Sequence, residues 1–174
     1  MKIAIYLSER KPTKEKQPKK VLVIGAGNMG LTYAEGMSKS KLLKKEHIMV
    51  LDASEEKLNE LHQISHFDAY RDLEDCVPEA DIIFIAVKPY HAENLFFRNN
   101  PMVKPGQILI SIMAGITIDS IKDLTGLTKI VRAMPNLPAK IGKGLTSYVA
   151  SPEVSRIESL TIESLLDTIG NQYM

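Results

Sequence analysis

Apolar residues gather along this chain in short continuous runs separated by polar, helix-patterned stretches. The runs lie at residues 21–24, 48–52, 81–87, 107–112, 129–134 and 145–150, with a weaker one at 64–67. A strand covered on both faces needs apolar side chains on both, so unbroken runs of this length predict strands inside a parallel sheet. The clearest is 81–87, Asp81-Ile82-Ile83-Phe84-Ile85-Ala86-Val87. Between the runs, helices are expected over 29–38, from a capping Ser54 through Leu61, and over 72–77, 91–97 and 117–124. A last helix is expected to start at Ser151-Pro152, a cap followed by proline at the first helical position, and to end before Gly170. Within it Ile162, Leu165, Leu166 and Ile169 recur at helical spacing and predict a core-facing stripe. Strands alternating with helices, and no internal repeat, predict an α/β fold with a doubly wound, mostly parallel sheet.

The first run ends in Gly25-Ala26-Gly27-Asn28-Met29-Gly30. A GxGxxG at a strand-to-helix junction permits the tight turn at its first glycine and close approach of a diphosphate at its second. The third permits close helix–strand packing. The first N–H groups of the helix have no partner within it and sit at its positive dipole end, where an anion is favoured. Glycine-rich turns also occur for packing alone, so the context matters. The second run ends in Asp52, where a Rossmann sheet places the carboxylate that binds the adenosine ribose 2′-OH. Asp52 also suits a strand-end turn that caps the next helix, and the two roles are compatible.

Composition narrows the setting. The 174 residues are 44% hydrophobic, enough for one sizeable core, and the net charge of +1 carries no nucleic-acid signal. A single cysteine, Cys76, excludes an internal disulfide and suits a reducing cytoplasm. No apolar run approaches the roughly 20 residues that span a bilayer. Residues 1–20 are expected to be a basic, flexible lead-in because 8–20, SERKPTKEKQPKK, hold two prolines, many lysines and no apolar residue. A nucleic-acid arm or membrane-surface anchor is the alternative for that stretch. Residues 21–174 then form the dinucleotide-binding domain. His62 and His66 make an HxxxH pair without an apparent third ligand, so no metal site is expected. Cys76, between Leu73 and Val77, reads as a small buried hydrophobe.

Ligands of doubly wound sheets bind beyond the carboxyl ends of the strands. Three further exits therefore stand out: Val87-Lys88-Pro89, Met113-Ala114-Gly115 and Met134-Pro135-Asn136. Each joins a strand end to glycine or proline, which turn chemistry alone also favours. With these pieces in order, the chain resembles the pyrroline-5-carboxylate reductase family. The matching segments are IGAGNMG (24–30), ADIIFIAVKP (80–89), ISIMAGIT (110–117) and VRAMPNLPAKIGKGLTSY (131–148), and the resemblance covers about residues 21–174.

That resemblance implies the NAD(P)-binding Rossmann half of a reductase that passes a hydride from NAD(P)H to the C=N carbon of a cyclic imine, giving proline. It implies that Gly25, Ala26, Gly27, Asn28, Met29 and Gly30 line the diphosphate, with Asp52 at the ribose. It places Ala86, Val87, Lys88 and Pro89 along the cofactor's ribose and nicotinamide side. Ala114 and Gly115, with Pro135 and Asn136, would frame the nicotinamide and the mouth of the substrate site. A protonated imine needs orientation more than a strong protein acid, so no catalytic residue is named.

Three departures from the family pattern carry expectations. Family members continue into a helical second domain that holds the substrate and builds the dimer, whereas these residues stop at Asn171-Gln172-Tyr173-Met174. An apolar patch is therefore expected on the last helix and the 134–144 loop, with self-association or a partner chain supplying the helical domain. Leu137 stands where the family usually has threonine. No arginine follows Asp52, which leans the cofactor toward NADH although the family often uses NADPH; Lys57 weakens that lean. The alternatives are a dinucleotide-binding or interaction module without turnover, and a reductase of a different imine.

Overall fold

The structure, a computed structural model, describes residues 19–64, 66–91, 102–136 and 144–173. The helix expected over 91–97 lies outside the described residues beyond His91, as do Leu137 and the lead-in before Lys19.

Among the described residues, eight strands form one sheet in the order β3-β2-β1-β4-β5-β6-β7-β8. They are β1 (Val21–Ile24), β2 (Ile48–Leu51), β3 (Asp68–Tyr70), β4 (Ile82–Ile85), β5 (Ile108–Ser111), β6 (Ile130–Pro135), β7 (Gly144–Ala150) and β8 (Gly170–Tyr173). The first six run parallel; β7 is antiparallel to β6, and β8 is parallel to β7. Order 3-2-1-4-5-6 reverses direction at β1, which puts the switch-point crevice over the carboxyl ends of β1 and β4. The helices are α1 (Asn28–Lys39), α2 (Glu55–His62), α3 (Leu73–Cys76), α4 (Ile118–Thr125) and α5 (Arg156–Leu166).

The continuous apolar runs have the expected cause. In β1, Val21 and Val23 enter a core with Tyr33, Ala34 and Met37 of α1, Leu58 and Leu61 of α2, and Ile162, Leu165 and Leu166 of α5. Leu22 and Ile24 enter the opposite core with Cys76 of α3 and Ile121 of α4. The same split recurs in β4, where Ile82 and Phe84 face one core and Ile83 and Ile85 the other. The stripe read in the last helix is buried throughout, from Ile162 to Ile169.

Two expected elements shift. The strand sought at 64–67 is β3, four residues later. Ile64 still belongs to the turn that ends α2, its N–H bonding the Leu61 carbonyl, and Phe67 is a buried core side chain. Pairing with Met49–Leu51 then fixes 68–70 as the strand. The last helix starts at Arg156, not at Ser151-Pro152. The Ser151 hydroxyl is spent inside the fold, donating to the Thr128 carbonyl (2.7 Å) and accepting from the Ile130 N–H (3.0 Å). Ser155 is the cap instead. Lys20, assigned to the lead-in, is fastened to the sheet: its carbonyl accepts from the Asp81 N–H at 2.9 Å.

Of the apolar patch expected on the last helix and the 134–144 loop, Ile157 and Leu160 on α5 and Met134 on β6 are exposed, and residues 137–143 lie outside the described residues. Leu145 and Val149 on β7, not anticipated, are exposed as well. Met134 stands opposite Ser147, and Arg132 opposite Val149. Directly opposed residues share a face, so Arg132, Met134, Ser147 and Val149 lie on one side of this ribbon while Ala133 and Tyr148 are buried on the other.

Candidate functional site

The β1–α1 turn shows why its glycines stand where they do. Gly25 has φ +102°, and a methyl there would sit 3.0 Å from both the Ala86 carbonyl oxygen and Val87 Cγ1. At Gly30 a methyl would overlap the Gly25 carbonyl oxygen, so no larger residue fits at this helix–turn contact. Gly27 differs from both: nothing lies within 4 Å of a Cβ built on it. It is the N-cap of α1, with no side chain bonded to the helix end and no acidic residue in the first turn. The first intrahelical bond runs from the Leu31 N–H to the Gly27 carbonyl. The N–H groups ahead of it therefore face an open hollow at the positive end of a 12-residue helix.

That hollow belongs to a cleft of about 810 Å³ over the switch point. Of the residues singled out by sequence, Gly25, Gly27, Asp52, Ala86, Val87 and Lys88 line it together. Ala26 and Gly30 are buried beneath the turn, Asn28 and Met29 open α1, and Pro89 begins the helical turn after Lys88. Ala114 and Gly115 are exposed beyond β5 and do not line this cleft. Pro135 and Asn136, at the end of β6, also lie off it. Asn136 closes the β6–β7 pairing, its side-chain oxygen accepting from the Leu145 N–H (2.9 Å) and its own N–H donating to the Leu145 carbonyl (3.2 Å).

Asp52 takes the turn role read as one of its two options, and more. Oδ1 accepts from the Ser54 N–H (2.9 Å) and Oδ2 from the Ala26 N–H (2.7 Å). One carboxylate thus ties the end of β2, the glycine turn and the start of α2 together. Ser54 caps α2, accepting from the Lys57 N–H. Sequence reasoning missed Arg71, Asp72, Leu73 and Glu74, which line the cleft from the turn after β3, and His91 beside Lys88. Placing β3 at 68–70 would have put Arg71 at a strand exit, the signal that finds it.

Other titratable groups stand apart from the cleft. Burial pushes the Cys76 thiol up to about 12, so it is a poor nucleophile. His62 and His66 are both exposed, and the described residues hold no cluster of three or more metal-ligating side chains. Among the described residues, no helix is long and apolar enough to cross a membrane.

Residues 20–115 match the family described as NADP oxidoreductase, coenzyme F420-dependent, an assignment that falls on the glycine turn and the cleft. The chain belongs to this oxidoreductase family. It is 34% identical over 155 residues to pyrroline-5-carboxylate reductase 2 of Bacillus subtilis, covering 88% of this chain and 55% of that protein. Among solved structures, a pyrroline-5-carboxylate reductase from Coxiella burnetii superposes with TM-score 0.79 at 26% identity, covering 89% of this chain and 58% of that one. The Plasmodium falciparum pyrroline carboxylate reductase with NADP bound gives TM-score 0.77 at 25% identity, covering 89% and 56%. The resemblance read from the four sequence motifs therefore holds across nearly the whole chain. The chain spans just over half the length of the relatives it matches.

Proposed function

We propose that the chain binds a nicotinamide dinucleotide across its β1–β4 switch point and serves as the cofactor-binding part of a pyrroline-5-carboxylate reductase. The observation that carries this reading is the uncapped N-terminus of α1, open at Gly27 and free of acidic side chains in its first turn. Those main-chain N–H groups suit the two phosphates of a dinucleotide. Asp52 holds the turn in shape, and the ribose next to the diphosphate falls toward Ala53 and Ser54. Ala86 and Val87 give the other half of the dinucleotide a smooth apolar path along the end of β4. Lys88 adds a positive charge there, its ammonium 5.9 Å from the centre of the Tyr90 ring. When bound, the reduced nicotinamide supplies the hydride for the imine carbon.

The chain's own share of that chemistry is placement. Ala114, Gly115, Pro135 and Asn136 belong to the nicotinamide end of the reading, at the carboxyl ends of β5 and β6. The test is calorimetric titration of the 174-residue chain with NADH and with NADPH, then an imine-reduction assay with 1-pyrroline-5-carboxylate on the same sample. Heat with either dinucleotide supports the cofactor reading, and no heat with both overturns it. Turnover by this chain alone would show that it also positions the imine. Binding without turnover would assign it the cofactor part only.

A further inference from the structure

Resting on the dinucleotide reading, we propose that Arg71 admits a 2′-phosphate on the adenosine ribose, while Asp52 braces the glycine turn and does not sense the 2′ position. The sequence alone points the other way, because the residues after Asp52 are Ala53 and Ser54, with no arginine.

The geometry at Asp52 argues first. Each of its carboxylate oxygens already accepts a backbone N–H, from Ala26 at 2.7 Å and from Ser54 at 2.9 Å. Both donors are fixed parts of the fold, and both bonds are charge-assisted. A ribose hydroxyl would have to compete for what remains of the acceptor capacity of a half-buried group. The same two bonds explain why the residue is an acid without reference to any ligand: they hold the turn whose free N–H groups form the hollow.

Arg71 argues second. The Asp52 N–H donates to the Tyr70 carbonyl at 3.2 Å, so the parallel pairing with β3 extends one residue past β2. The register that sets Leu51 opposite Tyr70 brings the next residue, Arg71, beside Asp52 and Ala53. Arg71 is exposed and lines the same cleft as Ala53 and Ser54. Among the described residues its guanidinium has no ion pair or hydrogen bond. The rival cation, Lys57, is engaged along its own helix, with its ammonium 2.6 Å from Glu60. A guanidinium can present two parallel N–H donors to a phosphate. The β2–β3 side of the cleft is otherwise acidic, with Asp52, Asp72 and Glu74, while Lys88 and His91 line it from beyond β4. On that side Arg71 is therefore the charge that offsets a repulsive setting.

The test compares ligands differing only at the 2′ position, by calorimetry or fluorescence titration, in the wild-type chain and in Arg71→Ala and Arg71→Lys. Arg71→Ala is expected to weaken NADPH and 2′,5′-ADP by about tenfold or more, the loss of a charged hydrogen-bonded contact, and to leave NADH and 5′-ADP within about twofold. Arg71→Lys is expected to recover part of the loss as a point charge. In the wild type, 5′-ADP and its 2′-deoxy form are expected to bind within about twofold of each other. NADPH affinity unchanged in Arg71→Ala overturns the role of Arg71. A drop of about tenfold on removing the 2′-hydroxyl overturns the role of Asp52. Failure of the wild type to bind any of these ligands overturns the dinucleotide reading itself, which separates the two failures.

Discussion

The N-termini of α1 and α5 face the same physical problem and solve it in opposite ways. Every helix begins with N–H groups that lack intrahelical acceptors. At α5 the chain supplies its own. The Ser155 hydroxyl accepts from the Glu158 N–H, and the Glu158 carboxylate accepts from the Ser155 N–H at 2.9 Å, a complete capping box. Lys129 closes over it, its ammonium 2.6 Å from Glu158. Helices α2 and α4 are also capped by side chains, from Ser54 and Thr117. At α1 the cap is Gly27, with no side-chain bond and no acid nearby. Among the described helices of two turns or more, α2, α4 and α5 are thus capped by side chains and α1 is not; the four-residue α3 also lacks a side-chain cap bond, but its first turn carries Glu74 and Asp75. The bare end over the switch point is the one that stays open and free of acids for an outside anion.

The comparison breaks first at its packing. Gly30→Val would drive side-chain atoms into the Gly25 carbonyl oxygen. Backbone has nowhere to yield here, because Gly25 is itself bonded through its N–H to the Leu51 carbonyl at 2.8 Å. A loss of about 3 kcal/mol or more is expected, beyond ordinary overpacking, and thermal or urea unfolding measures it.

A sharper test exchanges the two solutions. Gly27→Asp gives α1 a side-chain cap like those of α2, α4 and α5. The Cβ meets only open space, and φ −72° with ψ −177° suits any residue. Stability should hold or rise by a few tenths of a kcal/mol. Dinucleotide affinity should fall by about 100-fold, roughly 2.7 kcal/mol, because the carboxylate takes the place and the charge of the phosphate. Unfolding curves and calorimetry on one sample read both quantities. Lost stability with retained binding would mean that the hollow serves the fold and not a ligand.

Much of this was legible in the sequence, and what was not has a common cause. Local pattern was enough for the buried strands, for the glycine turn, for the cap at Ser54 and for the helix that begins after Thr117. It failed where a residue's partner is far along the chain. Ser151-Pro152 has the local look of a cap, and only its hydroxyl's bonds with Thr128 and Ile130, over twenty residues away, show that Ser151 is used elsewhere and leave the cap to Ser155. Residues 64–67 have strand-like apolar content, yet Phe67 is taken by the core and pairing with β2 selects 68–70. The cleft follows the same rule. Its glycine-turn side was readable because strand and helix meet there in sequence. Arg71 was not, because only the β2–β3 register brings it beside Asp52.

Returning to the capped helix, Ser155→Ala removes one arm of the box and should cost about 1 kcal/mol. Differential unfolding should show that loss while cofactor titration shows none, since neither Ser155 nor any residue of α5 lines the cleft. A change in dinucleotide affinity would mean that the two helix ends are coupled, and the contrast between them would fail.

The smallest effect lies in the pH dependence of the same box. Partial burial opposes ionisation of Glu158, but the Lys129 ammonium and the N–H and hydroxyl of Ser155 outweigh it and hold the carboxyl down at about 2, against an ordinary 4.5. A carboxyl whose folded value is depressed binds fewer protons than its unfolded counterpart between those two values. Its contribution to stability is therefore complete above about pH 4.5 and is lost as pH falls through about 2. Glu158→Gln should melt below the wild type at neutral pH, with the gap closing as pH drops across that window. α1 has no carboxylate at its first turn and so offers no comparable group. Two melting curves that stay parallel down to pH 2 would show that Glu158 stabilises α5 by shape alone, without its charge.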